Sequence, residues 1–179
     1  MDGYIITYTG RKFYPLDPRP EDVDITDIAH ALSHQCRWSG HTKQFFSVAQ
    51  HSILVSRLCD KSDALWGLLH DSTEAYLIDV PRPLKLKMPD YRRYEAALMG
   101  VICDVFGLDR EMPASVKNAD DLMLQREWYD FIPHDGHDIA VIDCLPIGDL
   151  TLVCPGPIEP VAPVDARRVF LAMFDMLTR

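Results

Sequence analysis

An all-α architecture with a small N-terminal β-hairpin follows from three features of this 179-residue chain. Apolar residues recur at i, i+3, i+4 and i+7 through most of its length, the spacing of one helix face. Only residues 4–16, Y-I-I-T-Y-T-G-R-K-F-Y-P-L, hold two short β-rich runs, placed around Gly10. Proline or glycine separates the periodic stretches. One domain over 1–179 accommodates all of this around a single substantial core. A hydrophobic content of 47% with 25% charged residues is ordinary for a soluble globular protein.

The elements follow in order. D-P-R-P-E-D is a proline-bounded connector, and Asp24 N-caps a helix carrying Ile25, Ile28, Ala29 and Leu32 that frays near Cys36. Ser39-Gly40 is a turn. A second helix starts near Ser47 and puts His51, Leu54, Val55 and Leu58 on its apolar face. A third spans about Asp63 to Ile78, ended by Pro81 and Pro83. Asp90 is the expected cap of a long fourth helix closed by Gly107. A fifth covers about Ala114 to Phe131, residues 132–163 read mostly as loop, and a last helix from about Asp165 to Leu177 packs Val169, Met173 and Met176 inward.

The balance of charge limits the partners. A net charge of −9 argues against a binder of nucleic-acid polymers, which would carry a basic footprint, but not against a small phosphorylated ligand. Five cysteines, odd in number and without C-x-x-C spacing, fit a reducing, cytoplasmic compartment. No basic-then-apolar leader pattern and no apolar run of membrane-spanning length is present.

The chemistry concentrates at W-G-L-L-H-D-S-T-E-A-Y-L-I-D-V-P-R-P-L-K, residues 66–85. His70 and Asp71 are adjacent in an otherwise apolar helix, with Glu74 at i+4 from the histidine. Buried ionisable groups must be paired, hydrogen-bonded or bound to a metal. On the fifth helix Val116, Ala119, Asp120 and Met123 form one stripe, while Asp121 shares its face with Lys117 and Gln125, so periodicity turns Asp120 rather than Asp121 toward the core. Each inward residue has an ordinary explanation alone. Together His51, His70, Asp71 and Asp120 make two imidazoles and two carboxylates, a set suited to a divalent transition metal with positions left for water. H-D-G-H-D at 134–138 contains another His-Asp pair, but Pro133 and Gly136 place it in a loop without matching partners.

The order H…HD…D on successive helices resembles the HD-domain metal-dependent phosphohydrolases. S-V-A-Q-H-S, H-D-S-T-E-A-Y-L-I-D-V-P-R-P-L-K and V-K-N-A-D-D-L resemble segments of the bacterial 5′-deoxynucleotidases, and C-R-W matches their Arg-Trp pair at Arg37-Trp38. R-W-S-G-H-T-K-Q-F-F-S-V-A-Q-H-S is still more similar to phage and prophage members, some of which are deoxyadenosine triphosphate triphosphohydrolases. The likeness covers about residues 24–128.

What the resemblance implies is a helical HD bundle that hydrolyses 2′-deoxynucleoside 5′-phosphates and releases the deoxynucleoside. The favoured substrate is a deoxynucleoside triphosphate such as dATP, with tripolyphosphate as product; the alternative is a 5′-deoxynucleotidase acting on monophosphates. His51, His70, Asp71 and Asp120 would hold Co²⁺, Mn²⁺ or Zn²⁺, with Mg²⁺ also compatible with a triphosphate. Glu74 would orient water or move its proton. Asp79 would contact the sugar 3′-hydroxyl or transfer a proton, or merely end the helix. Arg37 would grip phosphate, and Trp38 would close against the deoxyribose. Lys85, Lys117 and His41 are further substrate-binding candidates. A homo-oligomer, dimer or hexamer, is implied as well. HD hydrolases of cyclic dinucleotides or guanosine tetraphosphate would lack the Arg-Trp pair. A di-iron bundle would show Glu-x-x-His on two helices, which the sequence does not contain. A non-catalytic metal- or nucleotide-binding module would have no use for Glu74.

Overall fold

The structure, a computed structural model, describes residues 3–134 and 156–179. It is mostly helical, with one two-stranded antiparallel sheet. Strands β1 (Ile5–Ile6) and β2 (Lys12–Phe13) pair in the register Ile5 to Phe13. Gly10, at φ 82°, supplies the left-handed residue of the connecting turn. Phe13 is fully buried and stacks on Tyr76, which ties the hairpin to the bundle.

Helix α1 (Ile25–His34) begins where expected: the Asp24 side chain accepts a hydrogen bond from the Thr26 N–H at 2.8 Å. Helix α2 (Val48–Leu58) is capped in the same way by Ser47, which accepts from Gln50. Most of α2 is buried on all sides, because it lies in the middle of the bundle against α1, α3, α7 and α8. One apolar core, with Ile28, Leu32, Ala49, Leu68, Ile102 and Phe170, fills one side of α2. A second, with Val55, Trp66, Val116, Met123 and Phe131, fills the other. His51 projects from α2 into the space between these layers.

The expected third helix is two helices. Helix α3 (Ala64–Leu69) stops before His70, and α4 (Glu74–Leu77) starts after a turn. The interruption has a local cause. The N–H of Ser72 bonds to Leu69 and that of Glu74 to Asp71, the tighter three-residue pattern, while the His70 ring takes the Gly67 carbonyl at 2.8 Å. Helix α4 ends ahead of the prolines, at Leu77, where Ile78 turns to φ 67°; Pro81 and Pro83 instead open a short helix not expected from the sequence, α5 (Arg82–Lys85), since proline fits a first helical turn.

Helix α6 (Pro89–Phe106) ends at Gly107, φ 69°, as expected. Its N-cap is Met88, not Asp90. Asp90 lies in the first turn and spends its carboxylate on Arg93 at 3.3 Å. Helix α7 (Ala114–Phe131) has the expected bounds. Helix α8 (Pro163–Leu177) starts two residues early and buries Ala166 and Phe170. Val169 and Met173 pack against the core, but Met176 is 65% exposed, because the buried stripe through Ala166 and Phe170 continues to Met173, Phe174 and Leu177. No helix among the described residues is long and apolar enough to cross a membrane.

Candidate metal centre

Three helices bring the predicted ligands together. His51 is fully buried on α2, His70 follows the last residue of α3, and Asp120 sits in the second turn of α7. The two Nε2 atoms face each other at 3.2 Å. Asp120 Oδ1 lies 3.1 Å from His51 Nε2 and 3.8 Å from His70 Nε2, and Asp71 Oδ2 lies 3.6 and 3.2 Å from the same atoms. His51, His70 and Asp120 form a group that could hold a metal ion. Asp120 keeps 40% of its side chain exposed, so the cluster opens to solvent on that side. Periodicity turns Asp120 rather than Asp121 toward the core, but Asp121 is the more buried of the two, its carboxylate paired with the Lys117 ammonium at 2.7 Å, while Asp120 reaches the histidines from the rim.

The donor set fits a divalent cation. Each imidazole has its Nδ1 committed, His51 to Glu127 at 2.5 Å and His70 to the Gly67 carbonyl. With Nδ1–H donating in both rings, both Nε2 lone pairs point into the same space, an arrangement that repels unless a cation or proton lies between them. Charge agrees. Burial disfavours ionisation of Asp71, Asp120 and Glu127, yet the imidazoles and Arg37 hold all three below the usual carboxylate range, Asp71 at about 2. Three carboxylates against the single Arg37 guanidinium leave two negative charges for a dication to balance. Without one, protons take its place: burial pulls His70 down, but Asp71 and Asp120 outweigh it and raise its pKa well above the ordinary value.

Glu127 is the residue that sequence reasoning missed. It is fully buried, and besides His51 it receives Arg37 Nε at 3.1 Å, Arg37 Nη2 at 3.0 Å and Trp38 Nε1 at 3.0 Å. The stripe that selects Asp120, carried one turn beyond Met123, lands on it. Arg37 and Trp38 reach Glu127 through an unusual backbone. The Arg37 N–H bonds to the Phe46 carbonyl, and the Val48 N–H to Gln35, which pins this segment to the start of α2. Trp38 (φ 54°) and Ser39 (φ 51°) are then left-handed, followed by Gly40 at φ 82°. Two consecutive non-glycine residues in that region cost on the order of 1–3 kcal/mol each. Arg37 is thus not an idle surface cation: two nitrogens are tied to Glu127 and Nη1 stands 3.9 Å from Asp71.

Glu74 is buried, and among the described residues its Oε2 has no hydrogen-bond partner. Burial first, then Asp71 and Asp79, raise its pKa well above the ordinary value. Asp79 is raised by burial and by Asp71, with Arg37 and Lys85 opposing. Lys85 is half-buried and bonded to Glu95 at 2.5 Å, and Lys117 is mostly exposed beside Asp121. His41 is exposed where the left-handed turn ends. Of the His-Asp pair at 134–138, only His134 falls within the described residues.

No family model matches the chain. It is 39% identical over 176 residues to the uncharacterized protein YfdR of Escherichia coli strain K12, an alignment covering 98% of this chain and 96% of that protein. It is also 36% identical over 121 residues to the uncharacterized protein RCAP_rcc00048 of Rhodobacter capsulatus, covering 62% of each.

Proposed function

This chain belongs to the same family as Escherichia coli YfdR, and from the geometry of its site we propose that it is an HD-type, metal-dependent phosphohydrolase of 2′-deoxynucleoside 5′-phosphates. One observation carries the reading. Two histidine Nε2 atoms with fixed opposite edges converge with two carboxylates, beside a buried carboxyl one of whose oxygens has no hydrogen-bond partner among the described residues. A divalent cation held by His51, His70, Asp71 and Asp120 supplies Lewis acidity toward a phosphoryl oxygen and acidifies water near neutral pH. Glu74, with one oxygen unpartnered among the described residues and a raised proton affinity, orients the attacking water and handles its proton. Arg37 offers its Nη1 edge to a phosphoryl oxygen, since its other two nitrogens are held by Glu127. Trp38, fixed through its indole N–H, forms the wall that leaves no room for a 2′-hydroxyl.

The substrate is a deoxynucleoside triphosphate or monophosphate. The phage-like strings favour the triphosphate. The pairing of Lys85 with Glu95 and of Lys117 with Asp121 favours the monophosphate, which asks less of additional cations. A panel of ribo- and deoxynucleotides, mono- to triphosphate, with Co²⁺, Mn²⁺, Zn²⁺ and Mg²⁺ decides, reading phosphate, pyrophosphate or tripolyphosphate as product. Asp120→Ala is expected to lose both bound metal and turnover. If it keeps both, the ligand assignment is wrong.

A further inference from the structure

The segment that carries Glu74 and Asp79 is gripped by a side chain from another helix. Gln35 closes α1 as its C-cap, and its amide reaches both ends of that segment. Nε2 donates to the Glu74 carbonyl at 2.9 Å, and Oε1 accepts from the Asp79 N–H at 3.3 Å. Between these anchors lies Ile78 at φ 67°, ψ 150°, a region that β-branched residues avoid. Its carbonyl accepts from the Tyr91 hydroxyl of α6 at 2.7 Å. Ile78 is 64% exposed, so core packing does not force this conformation. Gln35 is itself immobilised, because its backbone N–H bonds to Ala31 and its carbonyl accepts from Val48, the first residue of α2. One residue, by its backbone and its side chain, therefore ties α1, the start of α2 and the strained turn together.

We propose that Gln35, seconded by Tyr91, is a positioning residue: it holds Ile78 at positive φ and thereby fixes where Asp79 stands relative to Glu74. Glu74 and Asp79 lie on either side of Ile78, so the turn sets how the backbone that carries Asp79 leaves α4. A return of Ile78 to negative φ rotates the chain that leads into Asp79 and takes its carboxyl away. The clamp stands on geometry alone; what the two carboxyls do rests on the phosphohydrolase reading.

The test uses the full chain loaded with Co²⁺ as wild type, Gln35→Ala, Gln35→Ala with Ile78→Gly, and Tyr91→Phe. The readouts are the cobalt absorption spectrum, kcat and KM on the best deoxynucleotide of the panel, and amide hydrogen exchange across 74–80. Gln35→Ala is expected to keep the spectrum, lose at least tenfold in kcat with KM changed less than threefold, and speed exchange at Asp79 at least tenfold. Tyr91→Phe gives a smaller loss in the same direction. Adding Ile78→Gly lets the turn take positive φ without the clamp and is expected to recover at least threefold of the lost kcat, which ties the loss to the conformation of residue 78. The proposal is overturned if Gln35→Ala stays within twofold of wild-type kcat, if glycine recovers none of the lost kcat, or if cobalt is lost in step with kcat. Should Gln35→Ala not fold, Gln35→Glu, which keeps the acceptor and loses the donor, carries the same readouts. If wild type hydrolyses no nucleotide, the phosphohydrolase reading falls, and exchange decides the clamp: faster exchange at Asp79 with cobalt intact supports it, unchanged exchange overturns it.

Discussion

Removing the charge of Glu127 without removing its shape separates what it does for His51 from what it does for Arg37. In Glu127→Gln the amide oxygen can still accept the His51 Nδ1–H, but the charge that polarises the ring is gone and an NH₂ group meets the three nitrogen donors of Arg37 and Trp38. Partners of metal-bound histidines are typically worth 10- to 100-fold in metal affinity. The expected result is a Co²⁺ affinity lower by about that factor, read by competition against a chelator; an unchanged affinity refutes the orienting role. Glu127 also marks where sequence reasoning stopped. His51, His70 and Asp120 were readable because each is polar on an apolar stripe. Glu127 follows Arg126 and precedes Trp128, and a glutamate in that company reads as ordinary helix surface unless the stripe is followed a further turn. The left-handed geometry of Trp38 and Ser39 was not readable, since only the tertiary bonds that hold it favour it.

Among the helices, long periodic ones were legible to within a residue or two, and breaks inside a continuous hydrophobic pattern were not. Trp66 to Leu77 keeps its apolar spacing straight through His70–Thr73, so nothing in the pattern reports that hydrogen bonding changes there. The break matters because α3 must lie close to α2. A Cβ placed on Gly67 would sit 2.6 Å from the Cys59 Sγ and 3.0 Å from the Ser56 Cα, and the second of these is backbone that cannot turn aside. Gly67→Ala is therefore expected to cost about 1–3 kcal/mol, as overpacking does, seen as a lower denaturant midpoint. It should also weaken Co²⁺ binding, because His70 moves away from His51. Wild-type stability in this variant would show that the two helices do not need that approach.

The whole bundle is split into two apolar layers by α2, and the charged cluster lies in the seam, so folding and proton binding are linked. In the metal-free protein His70 has a folded pKa above its ordinary 6.5. Its contribution is fully present below about pH 6.5 and is lost as the pH rises through the folded value. Glu74, raised above 4.5, acts in the same direction from lower pH. Asp71, lowered from 3.8 to about 2, adds stability above about pH 4 that disappears as the pH falls toward 2. Thermal unfolding in EDTA should accordingly give a Tm that falls between pH 6.5 and 9. Saturating Co²⁺ should raise Tm and flatten that alkaline fall, because the cation replaces the protons. A metal-free Tm unchanged across this range would mean that folding does not raise the proton affinity of His70.

The two oxygens of Glu127 are a shared resource, and sharing imposes a symmetry on binding. An anion that draws Arg37 toward itself weakens the grip of the guanidinium on Glu127 and leaves that carboxylate more negative toward His51. A cation between the histidines profits from the same change, because a more negative Glu127 holds the His51 Nδ1–H more firmly and makes Nε2 a better donor. The free energies around that four-state cycle must close, so whatever factor the anion imposes on cation affinity, the cation imposes on anion affinity. If the site binds a metal and a phosphorylated substrate as proposed, the two would be cooperative ligands, and neither dissociation constant would have a fixed value until the concentration of the other is stated.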